Sequence, residues 1–375
     1  MNILRSDVDF RFTDGEQKEA RLLPTLYGQA TRAVAMAGKQ KLERDTIAET
    51  AGIEIDGTKL LLKELEGLNS TLGISTHKLL SVAVAEFSRN NHTGAGKSRA
   101  LKETRVSIPL KEYASWCGYD VVEHAKETEE EAKKEKERVK NSLKDVRKKV
   151  KKDLEYLFHL SMSWSEKING KEEDFIDVRL IESKGIRQGT IGLRFTQTFG
   201  EYLVRLPMTQ YPTALLSIDE RNPNAYKIGV KMMEHYNMDT NIRRNVHNRL
   251  KVGTLLKQTT LPGIEKVKGN KNSWESRIKE SFENALDELT KKGFLSDYYY
   301  CLPGGAKMTD EEATSWTDYK EWEEALICFE IKNCDISMHD ERRKRNEERK
   351  QTNKKRKTAK KKTDKDTASD HKGVE

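Results

Sequence analysis

The stretch NSLKDVRKKVKKDLEYL, residues 141–157, decides how this chain is read. Leu143, Val146, Val150, Leu154 and Leu157 recur at steps of three and four, the spacing that lines one face of an α-helix. Lys144, Lys148, Lys151 and Lys152 then fall on the opposite side. One helix is predicted with an apolar stripe that seeks a core and a cationic face left outside.

Working outward, Glu127 to Lys140 alternates acids and bases without an apolar stripe, which predicts an exposed helical insert over about 123–140. Before it, Leu79, Leu80, Val82, Ala83, Val84 and Phe87 suit a core-facing helix that Ser75 or Thr76 can cap. Val106, Ile108 and Leu110 alternate as a short strand, and Tyr113, Ala114 and Trp116 start a helix closed by Gly118. After the basic helix, Phe175 to Ile181 and Ile191 to Phe195 alternate around the glycine-bearing segment Ser183 to Gly189, which predicts a hairpin. Helix, turn, helix, then hairpin is the order of a winged helix, with the hairpin as the wing, and the unit is bounded at 74–206.

The order returns in 207–335, after a joint read at Pro207 to Pro212. Asn222-Pro223 opens a helix with Ile228, Met232, Met233 and Tyr236 inward. Asn272-Ser273-Trp274-Glu275 has capping-box spacing ahead of Ile278, Phe282, Ala285, Leu286 and Leu289, with Gly293 as the stop. Tyr298 to Tyr300 and Ala325 to Ile331 suit strands around a long loop. Leu154 and Leu157 match Leu286 and Leu289. Residues 1–73, with Ala30 to Gly38 and the leucines from Leu60 to Leu68, are expected to form a helical extension. The fold class expected is therefore α+β and mostly helical. It comprises two tandem winged-helix domains, a helical N-terminal extension and a disordered basic tail over 336–375.

Net charge is a misleading clue. The chain carries +8, and residues 341–375 hold fifteen Lys and Arg against seven Asp and Glu, which accounts for all of it. Preceding residues balance, so a nucleic-acid reading must rest on local patches. No apolar run reaches the ~18–20 residues that span a bilayer. Asp7, Asp9 and Asp14 replace the basic start of a secretory leader, so a cytoplasmic location and no membrane partner are expected. Cys117, Cys301, Cys328 and Cys334 have no ligand spacing and read as reduced thiols.

For the basic helix, Asn141 and Arg147 suit base edges, because Asn pairs with adenine and Arg with guanine. Lys144, Lys148, Lys151 and Lys152 suit the flanking phosphates. Lys184, Arg187 and Gln188 at the hairpin suit a phosphate or the minor groove. In the second unit the long helix exposes Glu280, Glu283 and Asp287, which repel phosphate. DNA contact there falls to Arg243, Arg244, Arg249, Lys251, Lys271, Arg277 and Lys279, with Lys266 and Lys268 nearby. The other reading of each patch is a solvated face, and of the second unit a protein-contact domain.

Catalytic signals are weak. Gly94-Ala95-Gly96-Lys97-Ser98 resembles a phosphate-binding loop, yet Asn91 stands where its first glycine belongs and a helix precedes it. Eight dispersed histidines form no His-x-His pair, so Tyr298-Tyr299-Tyr300 reads as strand packing rather than a nicking tyrosine. No cofactor, metal or enzymatic activity is expected.

Several strings resemble plasmid and mobile-element replication initiators of the theta type, which carry tandem winged helices. They include Ile74 to Leu80, Val106 to Tyr113 with Cys117-Gly118-Tyr119-Asp120, and Val146 to Leu160. Ile191 to Phe195, Tyr211 to Leu216 and Asn222 to Tyr226 complete the set. The resemblance implies binding to repeated double-stranded sites at an origin, recruitment of a host replicative helicase or its loader, and repression of the initiator's own promoter. It also implies a monomer–dimer balance. The charged insert and the acidic second helix depart from the pattern, and a winged-helix transcriptional regulator is the competing reading. On either, deleting residues 341–375 should weaken DNA binding in a salt-dependent way without moving the site. Loss of sequence preference in a footprint of the truncated chain would contradict the assignment of recognition to the basic helix.

Overall fold

The computed structural model describes residues 22–26, 28–45, 50–63, 71–91, 101–122, 124, 128–168, 170–206, 208–267, 274–332 and 334. They form an α+β fold whose strands make four antiparallel sheets. The expected basic tail, the Gly94–Ser98 loop, Lys268, Lys271 and the capping residues Asn272 and Ser273 lie outside the described residues.

The N-terminal part holds β1 (Leu22–Leu26), α1 (Gln29–Ala37), β2 (Glu43–Asp45), β3 (Thr50–Ile55) and β4 (Thr58–Leu62). The expectation of a helical extension is thereby corrected: α1 matches it, but Leu60 to Leu62 are strand, while Leu65 and Leu68 lie outside the described residues. Asp56 and Gly57 have φ of 50° and 75°, the paired left-handed values of a two-residue hairpin turn whose twist suits antiparallel strands. Around that turn Thr58, Leu60 and Leu62 are buried while Lys59 is exposed, an alternation of period two.

Next come α2 (Ile74–Asn91), β5 (Arg105–Pro109), α3 (Leu110–Trp116), α4 (Glu129–His159), β6 (Leu160–Ile168), β7 (Lys171–Arg179), β8 (Ile181–Arg187), β9 (Thr190–Phe195) and α5 (Gln197–Arg205). The remainder holds β10 (Met208–Pro212), α6 (Pro223–Tyr236), α7 (Asp239–Arg243), β11 (Arg249–Lys251) and α8 (Val252–Leu256). A π-turn at Glu275–Lys279 enters α9 (Glu280–Lys291), followed by β12 (Leu295–Cys301), α10 (Asp310–Thr314), α11 (Tyr319–Glu324) and β13 (Leu326–Ile331).

One order of elements occurs twice. In the first run it is α2, β5, α3, α4, β8, β9; in the second it is α6, β11, α8, α9, β12, β13. Both three-stranded sheets place the first strand against the last, as β5-β9-β8 and β11-β13-β12. The first run accommodates the β6–β7 hairpin between α4 and β8; the second carries α7 before β11, and α10 and α11 between β12 and β13. Leu154 and Leu157 on α4 and Leu286 and Leu289 on α9 are all buried.

The hairpin after α4 differs from the expected one. Phe175 to Arg179 belong to β7, which folds back on β6 across a turn at Gly170 (φ 83°). Strand β8 instead pairs with β9 through Gln188 and Gly189, with φ of 49° and 74°. Two adjacent left-handed residues close a hairpin tightly, so the turn sits at Gly189 rather than Gly185. Strand β6 also pairs with β4, which joins β2, β3, β4, β6 and β7 in one sheet. The expected extension is thus built into the body.

Likewise, β10 pairs with β1 where a joint between domains was expected. Buried apolar side chains of both runs belong to one continuous core. Across the junction, His77 Nδ1 on α2 lies 2.6 Å from the Tyr226 hydroxyl on α6, and that hydroxyl lies 2.9 Å from the Tyr211 hydroxyl. Burial pushes the His77 pKa down to about 3, which keeps its ring neutral. Arg32 on α1 bridges Glu234 on α6 at 3.2 Å. Gly57→Ala is expected to cost about 1–2 kcal/mol, because a Cβ disfavours left-handed backbone. Urea denaturation measures it, and an unchanged midpoint would refute the turn.

Candidate nucleic-acid interface

Helix α4 begins at the cap Thr128, whose hydroxyl accepts from the Glu131 N–H, and runs without a break to His159. Of the expected insert over about 123–140, residues 129–140 are the N-terminal part of this helix, and residues 123 and 125–127 lie outside the described residues. Most of that part is exposed, but Glu135 is buried, accepting from the His124 N–H and from Arg138. Arg138 also donates to the carbonyls of Asp120 and Val122, which ties the overhang to the chain before it.

In the C-terminal half, Val146, Val150, Asp153, Leu154, Tyr156 and Leu157 are buried. Burial of each large apolar side chain contributes roughly 1.5–3 kcal/mol, so the stripe holds the helix firmly. On the other side Asn141, Lys144, Arg147, Lys148, Lys151 and Lys152 are exposed. None of these five cations has an ion pair among the described residues; Lys152 lies over the Tyr156 ring at 5.8 Å. Asp145 is the single exposed acid between Asn141 and Lys152. Like charges three and four residues apart on a helix each cost a few tenths of a kcal/mol. Lys144 with Lys148, Arg147 with Lys151, and Lys148 with Lys152 are such pairs. A polyanion laid along this face relieves all of them.

Two polar contacts fix the roll of α4. Ser75 and Thr76 do not cap α2, which starts at Ile74; their hydroxyls donate to Asp153 Oδ1 at 2.8 and 2.9 Å. Burial raises the Asp153 pKa to about 6 against the pull of those hydroxyls, and its second carboxylate oxygen is buried without a hydrogen bond. Lys149, half-buried, donates to the Tyr119 hydroxyl at 2.8 Å and bridges Glu220 at 2.7 Å. Burial disfavours its charge, yet the bonds to Glu220 and Tyr119 hold the ammonium above its ordinary range. Glu220 lies ahead of α6, so α4 is anchored to the second run as well as to the first.

Strand parity divides the hairpin cations. Lys184 pairs in register with buried Leu193 and so points inward, where it bridges Glu155 and sits 4.3 Å over the Phe158 ring. It ties the hairpin to α4 and is not presented outward as expected. Arg187 and Gln188, on the outer row and at the turn, are exposed.

The second run spends several expected cations internally. Arg249 donates to the Pro303 carbonyl at 2.9 Å and to the Asn245 carbonyl. Lys251 bridges Glu324, and half-buried Lys279 approaches Glu283 at 3.9 Å. Arg243, Arg244 and Arg277 are exposed with no ion pair among the described residues. The acids of α9 serve strand β12: the Tyr300 hydroxyl donates to Glu283 at 2.9 Å and that of Tyr298 to Asp287 at 2.7 Å. Trp322 Nε1 donates to Tyr300 at 2.8 Å.

Compared with known proteins, the chain matches no protein-family model and no curated protein. No described helix is long and apolar enough to cross a membrane. Sequence reasoning passed over Lys149, whose place on the flank of the stripe was a signal, and Arg105 and Arg194 on the sheet, whose exposure depends on pairing.

The raised Asp153 pKa has a definite sign. The folded chain holds that proton more tightly than the unfolded one, with its ordinary value of 3.8. Folding therefore gains stability as pH falls from about 6 towards 4, by up to roughly 3 kcal/mol for two units. Asp153→Asn should remove this dependence, making the variant relatively more stable against the parent at pH 7.5 than at pH 4.5. Parallel denaturation curves at the two pH values would contradict the burial argument.

Proposed function

We propose that the two runs are winged-helix units and that the chain binds double-stranded DNA, with α4 as the recognition helix and the β8–β9 hairpin as the wing. The observation that carries this reading is the exposed face of α4. Five cations with no ion pair among the described residues lie along a helix whose opposite face is buried and whose roll is locked by Asp153 and Lys149. A flexible charged helix would lose much of its electrostatic attraction to the entropy of ordering; a fixed one is preorganised for a groove. Asn141 and Arg147 are the residues suited to base edges, and the lysines to phosphates.

On the resemblance, the DNA is a set of repeats at the replication origin of a plasmid or integrative element and the initiator's own promoter. The protein partners are a host replicative helicase or its loader and a second copy of the chain, in the cytoplasm. The two repeated runs, joined through His77, Tyr226 and Tyr211, support engagement of a site by both units as one body. The second reading is a transcriptional regulator that uses its second unit for protein contacts. It is favoured by α9, which presents Glu280 and Asp287, and by the internal commitments of Arg249, Lys251 and Lys279.

A nuclease footprint over DNA flanking the gene separates them. Tandem direct repeats are the expected outcome, and a single promoter palindrome would sink the initiator reading. Lys148→Glu with Lys152→Glu should abolish the footprint while leaving thermal stability near the parent value, since both side chains are exposed. Retention of the full footprint would exclude α4 as the reader.

A further inference from the structure

The outer face of the sheet β5-β9-β8 carries an unusual row. Ser107, Gly192 and Gly185 are paired across the three strands, so the middle of the face has almost no side chain. One row away along the strands stand Arg105, Arg194 and Ser183, and on the other side Pro109, Thr190 and Arg187. The result is a trough of about 350 Å³ lined by Arg105, Ser107, Ser183, Gly185, Arg187 and Gly192. From Arg105 to Arg187 the trough spans four residue steps along the strands, ~13 Å.

Among the described residues nothing requires these glycines. Neither has the left-handed φ that favours glycine. A Cβ at Gly185 would meet nothing within 4 Å, and one at Gly192 would meet only the Gly185 carbonyl at 3.9 Å. Glycine inside a strand is destabilising, and where packing does not demand it, it marks a place another backbone or a ligand approaches closely. The rims give the approaching group its sign. Arg105 and Arg187 have no ion pair among the described residues, and Arg194 is partly compensated by Glu182 at 3.3 Å. Glu103 uses its carboxylate on the Arg105 backbone N–H, 2.7 Å away. Ser107, Ser183 and Thr190 add neutral hydroxyl donors.

We propose that this trough binds the phosphodiester backbone of nucleic acid, as a contact separate from α4; the identity of the polymer rests on the DNA-binding reading. Guanidinium groups at both ends match phosphate oxygens, and the bare middle lets the sugar–phosphate chain lie against the sheet. An isologous contact with a second copy is disfavoured, because it would set arginine rims against each other.

The test uses the full chain and a mixed-sequence duplex of about 30 bp, titrated between about 50 and 200 mM salt. Arg105→Ala with Arg187→Ala should make the negative slope of log K against log salt shallower by about 1.8, two phosphates at about 0.9 each, and weaken binding about tenfold or more. Gly185→Val with Gly192→Val fills the floor with residues that strands favour. It should weaken binding comparably while leaving the melting temperature unchanged or higher, a combination that a purely structural role does not produce. If both variants keep the parent affinity and slope while Lys148→Glu with Lys152→Glu loses binding, the trough assignment is wrong and the role of α4 stands. If the parent binds no duplex, the DNA-binding reading fails and the trough assignment with it. If the valine pair instead changes the sedimentation of the protein at parent DNA affinity, the trough is a protein interface and the proposal is overturned.

Discussion

Burial of one stripe of α4 is the constraint from which the candidate interface follows. Val146, Val150, Leu154 and Leu157 can leave water only if the helix lies against α2 and β8, and a rigid helix has no freedom to bury one face without exposing the other. The exposed face then holds lysines and Arg147 at spacings where they repel one another. Hydrophobic burial of several residues outweighs a few tenths of a kcal/mol per like-charge pair, so the helix persists although these cations have no ion pair among the described residues.

The polar contacts on the buried side act on orientation more than on net stability. Asp153 is desolvated and its second oxygen lacks a hydrogen bond, so it costs stability as an ion. In return, Ser75 and Thr76 define one angular setting of α4 relative to α2. Lys149 does the same towards Glu220. Apolar stripes alone tolerate sliding and rolling; directed hydrogen bonds at two points do not. The same economy of orientation appears at His77, Tyr226 and Tyr211, which connect the first helices of the two runs through a buried chain of side-chain contacts.

Although the two runs share element order and strand order, they divide their charge differently. In the first, the third helix offers cations outward and its acid Glu155 holds Lys184 inward. In the second, α9 turns Glu283 and Asp287 to the tyrosines of β12, and Trp322 closes over Tyr300. Tyr298 and Tyr300 are thus partners in packing a helix on its strand. An architecture used twice with opposite surface charge sets a cationic third helix against an acidic one; of the exposed arginines in the second run, Arg243 and Arg244 lie away from the α9 acids in sequence, and Arg277 stands three residues before Glu280.

Periodicity made the helices legible. A run of three and four, a proline after Asn222, and glycines at 118 and 293 with left-handed φ mark α2, α3, α4, α6 and α9 from local chemistry alone. The hairpin turn Asp56-Gly57 and the glycine of Asn169-Gly170 were equally local signals, and reading Leu60 to Leu68 as helix overlooked the first of them. What the chain could not reveal locally is which strands pair. Strand β4 finds β6 about a hundred residues away, and β1 finds β10 at nearly twice that distance, because unpaired backbone N–H and C=O groups must be satisfied by whatever edge packing brings near. Pairing then sets parity, and parity decides exposure: it turns Lys184 to the core and leaves Arg187 and Arg105 on the outer face. The sequence by itself determined which residues are cationic and which helix carries them. Only the tertiary structure decided which of those cations are spent inside the fold, since that depends on the neighbour each strand and helix is packed against.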